Sequence, residues 1–227
     1  MRNYIAVLLI ITACHTKSKS VTLQNKVKSN TNITSIIDSI RSIINEGDII
    51  FRGGTDIESA IIREFSYKDK LFSHCGIVTK QNDTLFITHI LGGTTNPAGK
   101  ILNQSVSDFF KYPDNECAGV YDINITKNEL ALLCKYINSL KAKNITFDLK
   151  FNLLDKSKLY CSEFLIDGLK YAMPNTKFPH TSYYLKNTKY QSVANKGDSF
   201  LFYPIDKLQH HPHLKQKAIF YFPNFNK

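Results

Sequence analysis

Apolar positions along this chain follow two periods, one near four residues and one of two, and the switches between them lay out the elements. Ile33, Ile36, Ile37, Ile40, Ile43 and Ile44 recur at helical spacing and predict an amphipathic helix ending near Asn45-Glu46-Gly47. Gly47-Asp48 turns the chain into a short strand, Ile49-Ile50-Phe51-Arg52, stopped by Gly53-Gly54. Thr55 or Asp56 caps a helix through Phe65, with Ile57, Ala60 and Ile61 on its inward face. Two apolar strands follow, His74 to Thr79 and Leu85 to Leu91, joined as a hairpin by Gln81-Asn82-Asp83-Thr84. The stretch from Gly92 to Gly99 is rich in Gly, Thr, Asn and Pro and reads as a loop lining a cleft. Strands are expected over Ile101 to Val106 and Ala118 to Ile123. Thr126 and Glu129 form a capping box opening a helix with Leu130, Leu133, Cys134, Ile137 and Leu140 inward, which makes Cys134 a core residue. From Tyr160 to Ala172 a helical face carries Cys161, Phe164, Leu165, Gly168, Leu169 and Ala172, and Pro174 and Pro179 end it. Phe200 to Pro204 and Ala218 to Phe222 are further strands. Strands outnumber helices in the middle, so the fold class is α+β with an antiparallel sheet.

The N-terminus departs from this plan. Arg2 followed by the apolar run Ile5 to Ile11 reads as a signal peptide, too short to cross the ~30 Å hydrocarbon core as a helix. Ile11-Thr12-Ala13-Cys14 places small residues before a cysteine where the apolar run stops, and it resembles a bacterial lipoprotein signal. The expected organisation is a signal peptide over 1–13, lipid on Cys14, a polar tether over 14–31 and one folded domain over 32–227. The protein is then exported to the cell envelope and held to a membrane by its lipid, on the periplasmic or outer-membrane side. An ordinary cleavable signal, or a weak anchor left uncleaved, is the plainer alternative.

Charge narrows the partners. The formal net charge is +10, one less once Arg2 is removed, and the surplus is lysine spread along the chain. No basic run interleaves with aromatics as a nucleic-acid groove requires, so nucleic acid is excluded as a partner. An anionic membrane surface or cell-wall polymer suits the charge, as does a merely solubilising surface. Twelve Tyr and fifteen Phe without Trp indicate a core that leans on aromatic packing. The five cysteines, Cys14, Cys75, Cys117, Cys134 and Cys161, lack CxxC spacing and give no zinc-ribbon pattern. Pairing among Cys75, Cys117 and Cys134 is open at this point, and no cofactor is implied.

Two residue types in this order carry chemistry. Cys161 falls in the first turn of its helix, where backbone N–H groups and the dipole favour a thiolate. Such a nucleophile needs a base, and His74 at the start of a strand can supply it. Alternation puts His74 on the face of Gly76 and Val78, and turns Cys75 away as a core residue. His89 lies on the other arm of the hairpin, where it can bond to the second ring nitrogen of His74 and fix its tautomer. A lone histidine in an apolar strand is more often a core residue; two on paired strands suggest one orienting the other. A protonated His74 and the helix N-terminus together are expected to hold Cys161 as thiolate. Glu163, about 200° around the helix from Cys161 at ~100° per residue, is an anchor. Asp148 has a structural role or holds a substrate amine, Asp48 is a turn residue, and His210-His211-Pro212-His213 is a surface loop rather than a metal site.

These residues also carry a likeness. Gly47-Asp48-Ile49-Ile50-Phe51, Ser73-His74-Cys75-Gly76-Ile77-Val78, Phe147-Asp148 and Tyr160-Cys161-Ser162-Glu163-Phe164, in that order, resemble circularly permuted papain-like enzymes of the YaeF/YiiX group, relatives of the NlpC-type cell-wall peptidases. Tyr203 to Leu208 resembles the closing segment of that group. The likeness runs from about Ile33 to Phe222. It implies a permuted papain-like α+β core with Cys161 as nucleophile, His74 as base and His89 as the third member. Many of the group carry Glu at that third position, whereas NlpC-type and lecithin retinol acyltransferase-like relatives use His. Phe147 stands where a Tyr is expected, which leaves more of any oxyanion to the N–H of Cys161. The implied activity is a thiol amidase or peptidase acting through an acyl-enzyme on small peptides or amides of the envelope. An acyltransferase or thioesterase on acyl substrates and a non-catalytic binding lipoprotein are the rivals.

Overall fold

The computed structural model describes residues 32–178, 180–184 and 199–223, and there the α+β class is present. Cys14, the 1–13 signal segment and the 14–31 tether lie outside the described residues. The isoleucine repeat forms α1 (Ile33–Ile43), opened by Asn32, whose side chain accepts from the Thr34 N–H. Gly47 turns the chain at φ +94°, a left-handed conformation that favours glycine, and β1 (Ile49–Gly54) follows. Asp56 caps α2 (Ile57–Glu64) by accepting from the Ser59 N–H at 2.7 Å. The inward face expected for α2 needs correction. Ile61 and Ile62 are buried, whereas Ala60 is exposed and Ile57 is 76% exposed. The Asp56 cap leaves the first turn outside the core, and only the second turn packs.

β2 (His74–Gln81) and β3 (Thr84–Ile90) form the expected hairpin, with Asn82 and Asp83 at φ 46° and 61° as a type I′ turn demands. β4 (Ile101–Gln104) is shorter than expected. Ser105 accepts from the Asp108 N–H and caps α3 (Val106–Phe110), so Val106 begins a helix instead of ending a strand. β5 (Asn115–Ile123) leads to α4 (Lys127–Ala142), whose Thr126–Glu129 capping box is formed. Leu133, Ile137 and Leu140 are buried along α4, but Leu130 and Cys134 are only half-buried. Cys134 is therefore not the core residue its periodicity suggested, because it flanks the narrow stripe that packs. β6 (Thr146–Phe147) and β7 (Lys158–Leu159) make a small parallel pair before α5 (Cys161–Ala172). β8 (Thr181–Tyr184) and β9 (Ser199–Phe202) pair antiparallel, and α6 (Ile205–Gln209) and β10 (Leu214–Tyr221) follow.

The main sheet has six strands in the order β10-β5-β1-β2-β3-β4, every neighbouring pair antiparallel. Strand alternation gives it two apolar faces. Ile49, Phe51, Cys75, Ile77 and Tyr121 face the layer that holds α4 and α5, with Phe164, Leu165 and Leu169 of α5 against them. Ile50, Val78, Ala118 and Val120 face Ile36, Ile37 and Ile40 of α1 and Phe109 and Phe110 of α3. Among the described residues no helix is long and apolar enough to cross a membrane.

Candidate functional site

His74 opens β2 opposite Arg52 of β1, and both project on the face covered by α3. His89 of β3 reaches the same spot because Gly76 lies between them: a Cβ there would sit 2.8 Å from Ile87 Cγ2 and 3.0 Å from the His89 Cβ. The two imidazoles meet with His74 Nε2 2.9 Å from His89 Nδ1. The far nitrogen of His89, Nε2, is 2.8 Å from Gln104 Oε1 on β4. The amide oxygen only accepts, so His89 Nε2 carries its proton and Nδ1 accepts from the His74 Nε2–H. His74 Nδ1 is left with its lone pair. Gln104 was not singled out in the sequence, yet it sets the tautomer of the whole row.

Phe109 of α3 walls this row. Its ring stacks on His74 at 5.8 Å, meets His89 edge-on at 5.0 Å and carries the Arg52 guanidinium at 4.7 Å. Burial, first, and then the Arg52 charge and the neighbouring His89 ring, where a second cation would be repelled, press His74 well below its ordinary value. Burial and Arg52 push His89 down to about 3, against the opposing hydrogen bond that His89 donates to Gln104. Both imidazoles are therefore neutral at neutral pH, and the expected protonated His74 is corrected: a dry pocket with a guanidinium beside it disfavours a second cation.

Cys161 starts α5, which is fixed at this end by its neighbours. Tyr160 is fully buried, stacks on Phe202 at 4.9 Å and accepts from the Tyr203 N–H at 2.8 Å, while the Ser162 hydroxyl donates to the Tyr203 carbonyl at 2.6 Å. The Cys161 thiol lies below its ordinary value, chiefly because the Cys75 thiol donates a hydrogen bond to it. Burial opposes this, and the N–H groups of Cys75, Ser162 and Cys161 support it. Cys75 does point away from His74 as alternation requires, but that face is the one α5 covers, so its thiol meets Cys161. Burial and this contact hold the Cys75 thiol well above its ordinary value. Cys75, Cys117, Cys134 and Cys161 are all unpaired in disulfide terms.

Cys161 and His74 line one cleft of about 340 Å³ that opens beside the start of β2. Among the described residues no hydrogen bond joins the two. Leu91 to Thr95 form one lip, as the glycine-rich loop suggested, and Phe147, Leu149 and Phe151 give an apolar wall. Arg52, Asp56 and Asp114 supply the charge. Burial raises both carboxyls, but hydrogen bonds from Asp114 and Ser59 bring Asp56 below its ordinary value, while burial and the contact with Asp56 hold Asp114 above its own.

The remaining candidates are engaged in contacts outside the Cys161–His74 pair. Glu163 is fully buried and paired with Lys156 at 2.8 Å, yet burial still lifts its carboxyl to about 7. Asp148 accepts from the N–H groups of Lys150 and Asn152. Asp48 accepts from the Asn45 N–H and pairs with Lys217 at 2.7 Å. His211 is buried against Phe178 at 4.2 Å, so the His210–His213 segment is less superficial than its polarity implied.

No known protein family and no curated protein matches the sequence. The fold does have a solved counterpart in the crystal structure of metalloprotein yiiX from Escherichia coli O157:H7, with a TM-score of 0.61 at 16% sequence identity. The match covers 78% of this chain and 98% of that one. It places this chain among folds of the yiiX type. Among the described residues no three His, Cys, Asp or Glu side chains gather where one ion could be held.

Proposed function

We propose that this protein is a cysteine hydrolase of permuted papain-like type, an amidase or peptidase that works through an acyl-enzyme on Cys161. The observation that carries the reading is the row Gln104–His89–His74, which leaves Nδ1 unprotonated on a histidine that lines the same cleft as Cys161. His74 takes the thiol proton as the sulfur attacks the substrate carbonyl. N–H groups at the start of α5 hold the oxyanion. Collapse breaks the C–N bond, and the amine leaves with the proton from His74. Water, deprotonated by His74, then cleaves the thioester and frees the acid. His89 keeps His74 in the productive tautomer, the part of a third triad member. No hydrogen bond joins thiol and base among the described residues, and catalytic contacts of this kind tighten around bound substrate.

With the likeness at the N-terminus added, the enzyme is an exported lipoprotein anchored through Cys14, acting on small peptides or amides of the envelope. The apolar wall of Phe147, Leu149 and Phe151 favours one further reading, transfer of an acyl group to an acceptor other than water. Mass spectrometry of the protein quenched during exposure to peptide, amide and ester libraries tests the proposal. A covalent acyl adduct at Cys161, absent from Cys161→Ala, is expected. Turnover that persists in Cys161→Ala removes Cys161 from the reaction.

A further inference from the structure

Arg52 is a cation in the cleft without an anion of its own. Its guanidinium lies over the rings of Phe109 at 4.7 Å and Tyr112 at 4.9 Å. Nη1 donates to the Phe109 carbonyl at 2.6 Å. Nε and Nη2 have no hydrogen-bond partner among the described residues, and no carboxylate there makes an ion pair with the group. Asp56 and Asp114 act on it only at longer range; the Asp56 carboxylate is taken by the Ser59 N–H and hydroxyl at 2.7 and 2.6 Å. Charges removed from water are ordinarily paired. The two free donors form one edge of a planar fork, clamped by aromatic rings, and that edge matches the two oxygens of a carboxylate. Arg52 also stands close enough to Cys161 for the thiolate to act on it.

We infer that Arg52 binds a carboxylate of the substrate beside the scissile bond, so that the preferred substrates are amides or peptides carrying a free carboxylate next to the carbonyl attacked. The inference rests on Cys161 being the nucleophile and names the substrate class of that site. A guanidinium serving only the thiolate would speed reaction with charged and neutral partners alike; one that receives a carboxylate separates them.

Iodoacetate and iodoacetamide make that distinction without a known substrate. Each loses iodide to the Cys161 sulfur and leaves a carboxymethyl or carboxamidomethyl thioether, and they differ in the carboxylate. The full chain is treated with each reagent, the rate at Cys161 is read by peptide mapping, and free cysteine gives the reference ratio of the two rates. At Cys161 the acid-to-amide ratio is expected to exceed that reference by about 10-fold or more, the worth of one charged hydrogen-bonded pair, and N-acetylglycine is expected to slow labelling where N-acetylglycinamide does not. Arg52→Met should return the ratio to the reference, and Arg52→Lys should keep part of the preference. A wild-type ratio equal to that of cysteine, or a ratio unchanged in Arg52→Met, overturns the inference. If Arg52→Met does not fold, the wild-type ratio and the protection pattern decide alone. Labelling of Cys161 by neither reagent overturns the nucleophile assignment and this inference with it; labelling by both without preference overturns only the carboxylate site.

Discussion

Acidification from pH 7 to pH 5 sets two buried groups of this fold against each other. His89 titrates near 3 in the fold against 6.5 in the unfolded chain. The unfolded state takes the proton first, so the stability that His89 contributes is complete above pH 6.5 and is lost as the pH falls toward 3. Glu163 is the reverse case, raised to about 7 from 4.5: its buried carboxylate weighs on the fold above pH 7, and protonation relieves that as the pH falls toward 4.5. At about 1.4 kcal/mol per pH unit, each effect amounts to about 2 kcal/mol between pH 7 and pH 5, with opposite signs. They nearly cancel, and His74, also depressed, leaves the wild type with a residual loss in acid. His89→Gln and Glu163→Gln uncouple the balance. Between pH 7 and pH 5, His89→Gln should fare about 2 kcal/mol better than the wild type and Glu163→Gln about 2 kcal/mol worse. With a urea slope of about 2 kcal/mol/M, that is a relative midpoint shift of about 1 M in opposite directions. Urea titrations followed by circular dichroism at the two pH values measure it. Parallel pH responses of the wild type and His89→Gln would refute the argument.

His74→Ala should abolish turnover, a fall of about 10³-fold or more, whereas His89→Ala should leave measurable activity, since the base handles protons in both half-reactions and its orienter does not; kcat/KM on any substrate found settles the order. Gln104→Leu should cost less than His89→Ala, because it frees the tautomer of His89 without removing the acceptor for His74. Cys75→Ala should move the pH profile of Cys161 alkylation toward alkaline values by about one unit, the scale of one neutral hydrogen bond, and an unmoved profile would show that the Cys75 thiol does not support the thiolate. Cys14→Ala should end incorporation of labelled fatty acid and release the protein from the membrane pellet; a wild type that takes up no label would refute the anchor.

The sequence made the histidine row half visible. His74 and His89 stand out because period-two alternation on a tight hairpin brings i and j of paired strands onto one face. Gln104 does not, since its place depends on the β3–β4 register across the loop from Leu91 to Lys100, where no local rule sets the pairing. Phe109 was hidden with α3: a five-residue helix has no period to read, and only Ser105 and Asp108 mark its start. Cys75 shows a different limit. Its direction was legible from alternation, but what covers that face is a tertiary fact, and the cover is the start of α5. Arg52 read as the polar end of a strand, because its isolation from carboxylates exists only in three dimensions.

β10 places a demand on the order in which this molecule assembles. It closes one edge of the sheet on β5, pairing Leu214 with Ile123 and Tyr221 with Cys117, across most of the second half of the sequence. Until those late residues arrive, β5 presents a bare row of amide and carbonyl groups beside Ala118 and Val120, an edge that could recruit another chain. Long-separation pairings of this kind form slowly. A ribosome-bound or partly threaded chain thus carries an unsealed seam, and a chain cut before Leu214 would yield aggregates instead of a slightly weakened fold.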